Sequence, residues 1–172
     1  ALGERSVQVG VAVYRPAVGV LLRGGSALLA GGSVDLGATR VGVPFVGGVL
    51  GVRNGVVADG YSEGLNAYAE ASGLATVSGS AGLVLAGGEQ AGVFALGLGT
   101  GAVSGVGLKS GVVRVAFETD GRGTSGLGVE AVGSQSVEVI GRVYRSAEGA
   151  LVLGGSALVE GATLRLGAVR VG

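Results

Sequence analysis

The residue types that most often carry enzyme chemistry are largely missing from this chain. Among its 172 residues there is no His and no Cys, which excludes Ser-His-Asp and Cys-His arrangements, thiolate zinc sites and imidazole bases. Any catalysis would rest on carboxylates, tyrosines, the single Lys109 or a metal held by oxygen ligands alone. The sequence also lacks a calcium-loop motif. We therefore predict no enzymatic activity, no cofactor, and no catalytic, cofactor-binding or metal site.

One glycine pattern could bind a dinucleotide. Residues 121–126, GRGTSG, match G-x-G-x-x-G, but this pattern binds a pyrophosphate only when it joins a strand to the first turn of a helix. The residues that follow, 127–141, alternate in the manner of a strand and show no helical period. We interpret 121–126 as a hairpin loop.

Carboxylates and arginines near predicted strand ends are a second candidate site. Glu118 and Glu130 could face one another across a turn, as the two carboxylates of a glycosidase do. Carboxylates at strand ends more often pair with arginine across or along the sheet. We expect Glu118 to pair with Arg122, and Glu138 with Arg142.

Two of the four tyrosines, Tyr14 and Tyr144, are each followed by an arginine. Such a pair could bind a ligand by stacking. More often the aromatic ring covers the end of a strand while the guanidinium stays in water. We expect this capping role for both tyrosines.

A long internal repeat organises the chain that would position these groups. Residues 136–172 match residues 6–42 without a gap, at an offset of 130 residues and with 21 identities in 37 positions. We divide the chain into a β-rich unit, 1–135, and the second copy, 136–172, packed into the same or a neighbouring sheet. Either 130 residues is the period of a longer array, or the two ends of one domain are related pieces of sheet. The second copy ends in mid-unit, so it resembles an unfinished or donated piece of sheet.

Alternation of apolar and small or polar residues indicates β-strands throughout. Val7, Val9, Val11 and Val13 alternate in this way, and so do the valines after residue 112. Tight turns with a positive φ are predicted at three dipeptides: Asn54-Gly55, Asp59-Gly60 and Asp120-Gly121. We predict ten to twelve strands in an all-β fold, a glycine-rich antiparallel barrel or sandwich with tight hairpin turns.

Three features test this fold prediction. Glycine recurs every six residues within each copy, which suits a β-solenoid, the alternative fold, although Arg23, Asp35 and Arg165 fall where solenoid coils require aliphatic residues. Residues 64–72 have a helix-favouring composition. Residues 91–108 carry no charge, but their glycines disfavour a membrane helix, and we expect a buried or interface strand.

The overall charge and hydropathy favour self-association. Net charge is zero, with no basic run that would bind nucleic acid. The mean hydropathy is +0.63, high for a surface that meets only water. We predict a non-catalytic structural protein that self-assembles through its sheets into a coat, filament, surface layer or virion shell, as a homo-oligomer or polymer outside the cell, at its surface or in a virion. The second copy would then occupy the place of the first in a neighbouring molecule.

Two alternatives remain open. A membrane-spanning β-barrel or pore-forming protein would also show alternation and short turns, so a membrane is a possible partner, although aromatic girdles are lacking. A soluble ligand-binding barrel would need a cavity that sequence does not reveal.

Overall fold

The computed structural model describes residues 3–172, which form twelve β-strands and one short 3-10 helix. The all-β prediction is confirmed. The strands are β1 (Gly19–Arg23), β2 (Ser26–Ala27), β3 (Ser33–Arg40), β4 (Gly48–Asn54), β5 (Gly64–Gly73), β6 (Ala75–Ser78), β7 (Ser80–Val84), β8 (Glu89–Leu98), β9 (Gly107–Asp120), β10 (Val129–Tyr144), β11 (Val152–Leu153) and β12 (Ser156–Ala157), with the 3-10 helix at Thr100–Ser104. Within this described part of the chain, no helix is long and apolar enough to cross a membrane.

Ten of the strands form two sheets that pack face to face as a sandwich. The order in the first sheet is β2-β1-β4-β8-β6, and in the second it is β3-β10-β9-β5-β7. Side chains from both sheets meet in one core, including Leu21, Leu50 and Phe94 from the first and Val34 and Val115 from the second. β11 and β12 form a separate two-stranded sheet. The arrangement is a sandwich and not a stack of solenoid coils.

The strand interpretation of 91–108 is confirmed, and the helix preference of 64–72 is overridden. Phe94 and Leu96 in β8 point into the core and are buried. Residues 64–72 lie within β5, where Leu65 and Ala67 are completely buried. Intrinsic helix preference is weak, and pairing of β5 with both β7 and β9 decides its conformation.

Only one of the three predicted positive-φ turns is present. Gly60 has a φ of +81°, whereas Gly55 and Gly121 do not adopt a positive φ. The predictions for Asn54-Gly55 and Asp120-Gly121 are therefore wrong. The side chains of Asn54 and Asp120 are instead fully buried and hydrogen-bonded.

The six-residue glycine rhythm marks turns and a bulge. Gly24 and Gly25 join β1 to β2 with φ values of +57° and +79°, as a type I′ hairpin turn requires. Gly37, with a φ of +80°, lies where β3 carries one residue more than its partner β10. That extra residue is a β-bulge, and it keeps the strand in register with β10 on either side.

Candidate assembly site

The sandwich occupies a central part of the chain, residues 15–144, which we call the body. Its 130 residues equal the offset between the two copies. The body is flanked by the N-arm, residues 3–14, and the C-arm, residues 145–172. Each arm duplicates a piece of the body: the N-arm contains the counterpart of 136–144 in β10, and the C-arm is the counterpart of 15–42.

The N-arm has the side chains of a core strand but no core around them. It forms no strand within 3–14, and Val7, Val9 and Val13 are 85%, 85% and 79% exposed. Their counterparts in β10, Val137, Val139 and Val143, are buried, with exposures of 0%, 0% and 2%. The same side chains thus lie in water in one copy and in the sandwich core in the other.

The C-arm reproduces the local structure of its counterpart. Its hairpin, β11 and β12, turns at Gly154 and Gly155 with φ values of +58° and +84°. The amide of Leu158 donates to the carbonyl oxygen of Leu151 at 2.7 Å, as Leu28 does to Leu21 at 2.8 Å. Local sequence is therefore sufficient to form this hairpin without a sandwich around it.

The C-arm does not reproduce the burial of its counterpart. Leu21 and Val34 are buried in the body, while their equivalents Leu151 and Leu164 are 77% and 52% exposed. Leu166, Val169 and Val171 at the end of the arm are also exposed. Both arms therefore present apolar strand faces that have no partner in the described residues of the same molecule.

The two arms leave the body at opposite ends. Arg15 forms a parallel bridge with Ser62, beside the end of β9 where Asp120 pairs with Gly64. β10 finishes at Tyr144, beyond the opposite end of β9, where Val143 pairs with Gly107. The 14 residues of β9 place the two exits roughly 45 Å apart at about 3.3 Å per residue.

The N-arm is fixed where it joins the body. The Arg15 guanidinium forms an ion pair with Asp59, and the Arg15 amide donates to the Tyr61 carbonyl oxygen at 2.8 Å. The ring of Tyr14 lies 5.7 Å from that of Tyr61, tilted by 48°. This hydrogen bond from Arg15 lowers the pKa of the Asp59 carboxyl below its usual value. Tyr14 therefore packs on the 55–63 loop, and its Arg15 neighbour remains half exposed, much as the capping role predicts.

Buried polar groups hold this end of the body together. The Thr119 hydroxyl accepts from the Ala17 amide at 2.9 Å and donates to a carboxylate oxygen of Glu63 at 2.6 Å. Asn54 donates to the carbonyl oxygens of Glu63 and Val84. Every buried side-chain polar atom in the described structure has a hydrogen-bond partner. The first residues of the body are thus bonded to loops distant in sequence, which sequence patterns did not reveal.

The predicted arginine–carboxylate pairs are wrong in their partners. Arg122 pairs with Asp120 and not with Glu118, because the turn after β9 brings the guanidinium back onto the buried carboxylate. The Arg122 hydrogen bonds hold the pKa of Asp120 far below its usual range, and in return they raise the pKa of Arg122. Arg142 pairs with Asp35 of β3 at 3.2 Å and not with Glu138.

The other candidate sites do not assemble. In the β9–β10 ladder Glu118 is opposite Ala131, and Glu130 is opposite Thr119, so the two carboxylates are directed to opposite faces. Residues 121–126 form the loop between these strands, which confirms the hairpin interpretation. Among residues 3–172, His, Cys, Asp and Glu form no cluster able to hold a metal ion.

No protein-family model matches the chain, and no curated protein shows significant similarity to it. Among solved structures, the CooA pilin subunit from enterotoxigenic Escherichia coli is 16% identical, with a TM-score of 0.40 over 73% of this chain and 98% of that subunit. A resemblance at this level establishes neither a shared fold nor a shared role.

Proposed function

We propose that this chain is a non-catalytic structural protein that joins copies of itself end to end through its two arms. The products would be filaments, coats, surface layers or shells, outside the cell, at its surface or in a virion. The observation that carries the proposal is the pair of arms, whose apolar residues are core residues in the body and are exposed in the arms.

The chemistry of the arms supports association in preference to free exposure. Each fully buried Val or Leu side chain contributes about 1.5–3 kcal/mol relative to its exposed state. Val7, Val9 and Val13 in the N-arm and Leu151 and Leu164 in the C-arm all lack that contribution in the single molecule. Because the arms leave from opposite ends, each copy can contact one neighbour at each end.

The first experiment compares the mass of the particles formed by three proteins, using light scattering and negative-stain microscopy. In the arm variant Val7, Val9 and Val13 are replaced by Thr, which is similar in shape but polar. In the control variant Val46, Val49 and Val57 of the body, which are also exposed, receive the same replacement. We expect the wild type and the control to assemble and the arm variant to remain monomeric.

Two outcomes would contradict the proposal. Equal assembly of the arm and control variants would show that the arms are not the contact. Dispersal of the wild type only in detergent would indicate membrane insertion, because a structural subunit needs no detergent to stay in solution.

A further inference from the structure

We infer that the N-arm of one molecule pairs with the C-arm of the next as two parallel strands, in the register that β10 and β3 adopt within the body. The inference rests on the proposed function and specifies its contact. The occupant of each arm is therefore a second copy of this chain, and the joint between copies repeats a strand pair that the body already contains.

The body supplies the template for this contact. β10 and β3 pair in parallel, with Val139 opposite Val34 and Val143 opposite Thr39. Val139 and Val34 are buried together in the core. The N-arm is the counterpart of the first strand and the C-arm of the second, so an arm pair has the same two sequence types side by side.

The repeat offset converts the register of the body into a register for the arms. The expected partners are Gln8 with Thr163, Val9 with Leu164, Gly10 with Arg165, Ala12 with Ala168, Val13 with Val169 and Tyr14 with Arg170. Val13 thus faces an apolar Val169 where the body has Thr39. The side chains of the arm pair are compatible at every position of this register.

The C-arm already has the backbone that the register requires. β3 carries its extra residue at Gly37, with a φ of +80°. Gly167, the counterpart, has a φ of +86° although no strand pairs with it in the single molecule. The bulge that aligns the body pair is therefore formed in the C-arm before any partner arrives.

A steric difference excludes the main competing contact, in which the N-arm replaces β10 in another body. Gly141 of β10 packs against the ring of Phe45, and a Cβ at this position would lie 2.7 Å from Cζ of that ring and closer still to Cε1. The N-arm has Val11 at the equivalent position. Its side chain would occupy the same space as Phe45, so the N-arm fits the C-arm strand, where no residue equivalent to Phe45 lies across it.

Disulfide cross-linking tests the register directly, because the chain contains no Cys. The double variant Val9→Cys/Leu164→Cys places one thiol on each arm at an expected partner position. Its matched control, Val9→Cys/Val169→Cys, moves the second thiol five residues along the same strand, too far for a disulfide to form. After oxidation, we expect the first variant to form a ladder of multimers on a non-reducing gel and the control to form at least about tenfold less.

The outcomes separate this inference from the proposed function. Equal ladders from the two variants would overturn the register, and so would an internal disulfide that leaves the first variant monomeric. A cross-link between Leu164→Cys and Val139→Cys on separate molecules would show instead that the C-arm occupies the β3 position of a neighbouring body. Absence of any ladder while light scattering still detects assemblies would overturn arm pairing alone, whereas monomers throughout would overturn the proposed function as well.

Discussion

At Gly141 a missing side chain allows a ring to pack. Phe45 lies over this residue, which belongs to the long strand β10 at the centre of the second sheet. Cores packed to this density tolerate little additional volume. The same contact distinguishes the body strand from the N-arm, which has a valine at the equivalent position.

We expect Gly141→Ala to lower the free energy of unfolding by about 1–3 kcal/mol, because the new methyl group displaces the Phe45 ring. Urea denaturation followed by circular dichroism measures the change. Gly149→Ala is the control, since nothing lies within 4 Å of a Cβ at that position, and it should leave stability unchanged. Equal effects at the two positions would show that the Phe45 contact does not restrict β10.

Acid should weaken the body through Asp120. Its folded-state pKa is held far below the usual value by the Arg122 hydrogen bonds, while in the unfolded chain an aspartate titrates near pH 3.9. Below about pH 4 the unfolded state therefore binds more protons than the folded state, and stability falls as the pH falls. Above that range the contribution of the carboxylate is fully present.

We accordingly expect Asp120→Asn to lose less stability than the wild type between pH 7 and pH 3, measured as the shift of the urea midpoint. Asn cannot titrate and has nearly the same shape. Arg122→Gln removes the cause of the lowered pKa and should flatten the pH dependence in the same way. A variant as acid-sensitive as the wild type would assign the effect to other carboxylates.

Residue-level prediction from sequence succeeded where chemistry is local and failed where partners are distant. The lack of His and Cys excluded whole classes of catalytic site. Asn54 and Asp120 were assigned to hairpin turns because Asn-Gly and Asp-Gly dipeptides commonly form them. Their actual roles depend on Glu63, Val84 and Asn66, which lie 9 to 54 residues away in the chain.

At the scale of elements, the duplicated hairpin offers an internal comparison. β1–β2 and β11–β12 have nearly the same turn φ values, and nothing lies within 4 Å of a Cβ at either Gly25 or Gly155. A valine strains either turn equally, since β-branched residues disfavour a positive φ. Only the first hairpin belongs to the sandwich.

We expect Gly25→Val to lower the melting temperature of the body and Gly155→Val to leave it unchanged. A loss of about 1–2 kcal/mol corresponds to the strain of a positive φ at a non-glycine residue. Thermal unfolding monitored by circular dichroism distinguishes the two variants. A fall in melting temperature for Gly155→Val would show that the C-arm hairpin is part of the body.

Sequence predicted the strands better than their neighbours. Alternating apolar residues identified β9 and the core-facing side of β8. The parallel pairing of β3 with β10 joins residues about 105 apart, and no local pattern encodes such a contact. β5 was misjudged for the same reason, because its Leu65 and Ala67 are buried by strands distant in sequence.

At the scale of the whole molecule, the body contains one complete sandwich and the arms are additions to it. The repeat was visible in sequence, but its relation to the fold was not: the copies begin at residues 6 and 136, whereas the body extends from 15 to 144. The period therefore matches a folded unit whose boundary falls within the copies. Only the strand pairing reveals that shift.

We expect deletion of residues 145–172 to change the free energy of unfolding of the body by less than about 0.5 kcal/mol, because almost every side chain in that segment is exposed. Urea denaturation measures the body, and light scattering of the same samples should show smaller assemblies. A large loss of stability on deletion would show that the C-arm supports the sandwich.

The exits at opposite ends of the body also determine how it would respond to tension. A pull on the two arms draws β10 along its own axis, past β9 on one side and β3 on the other. The hydrogen bonds of both ladders lie across that direction and would have to break together, not one after another as in peeling. A line of such molecules would therefore be mechanically resistant along its length and have two chemically different ends, one presenting a free N-arm and the other a free C-arm.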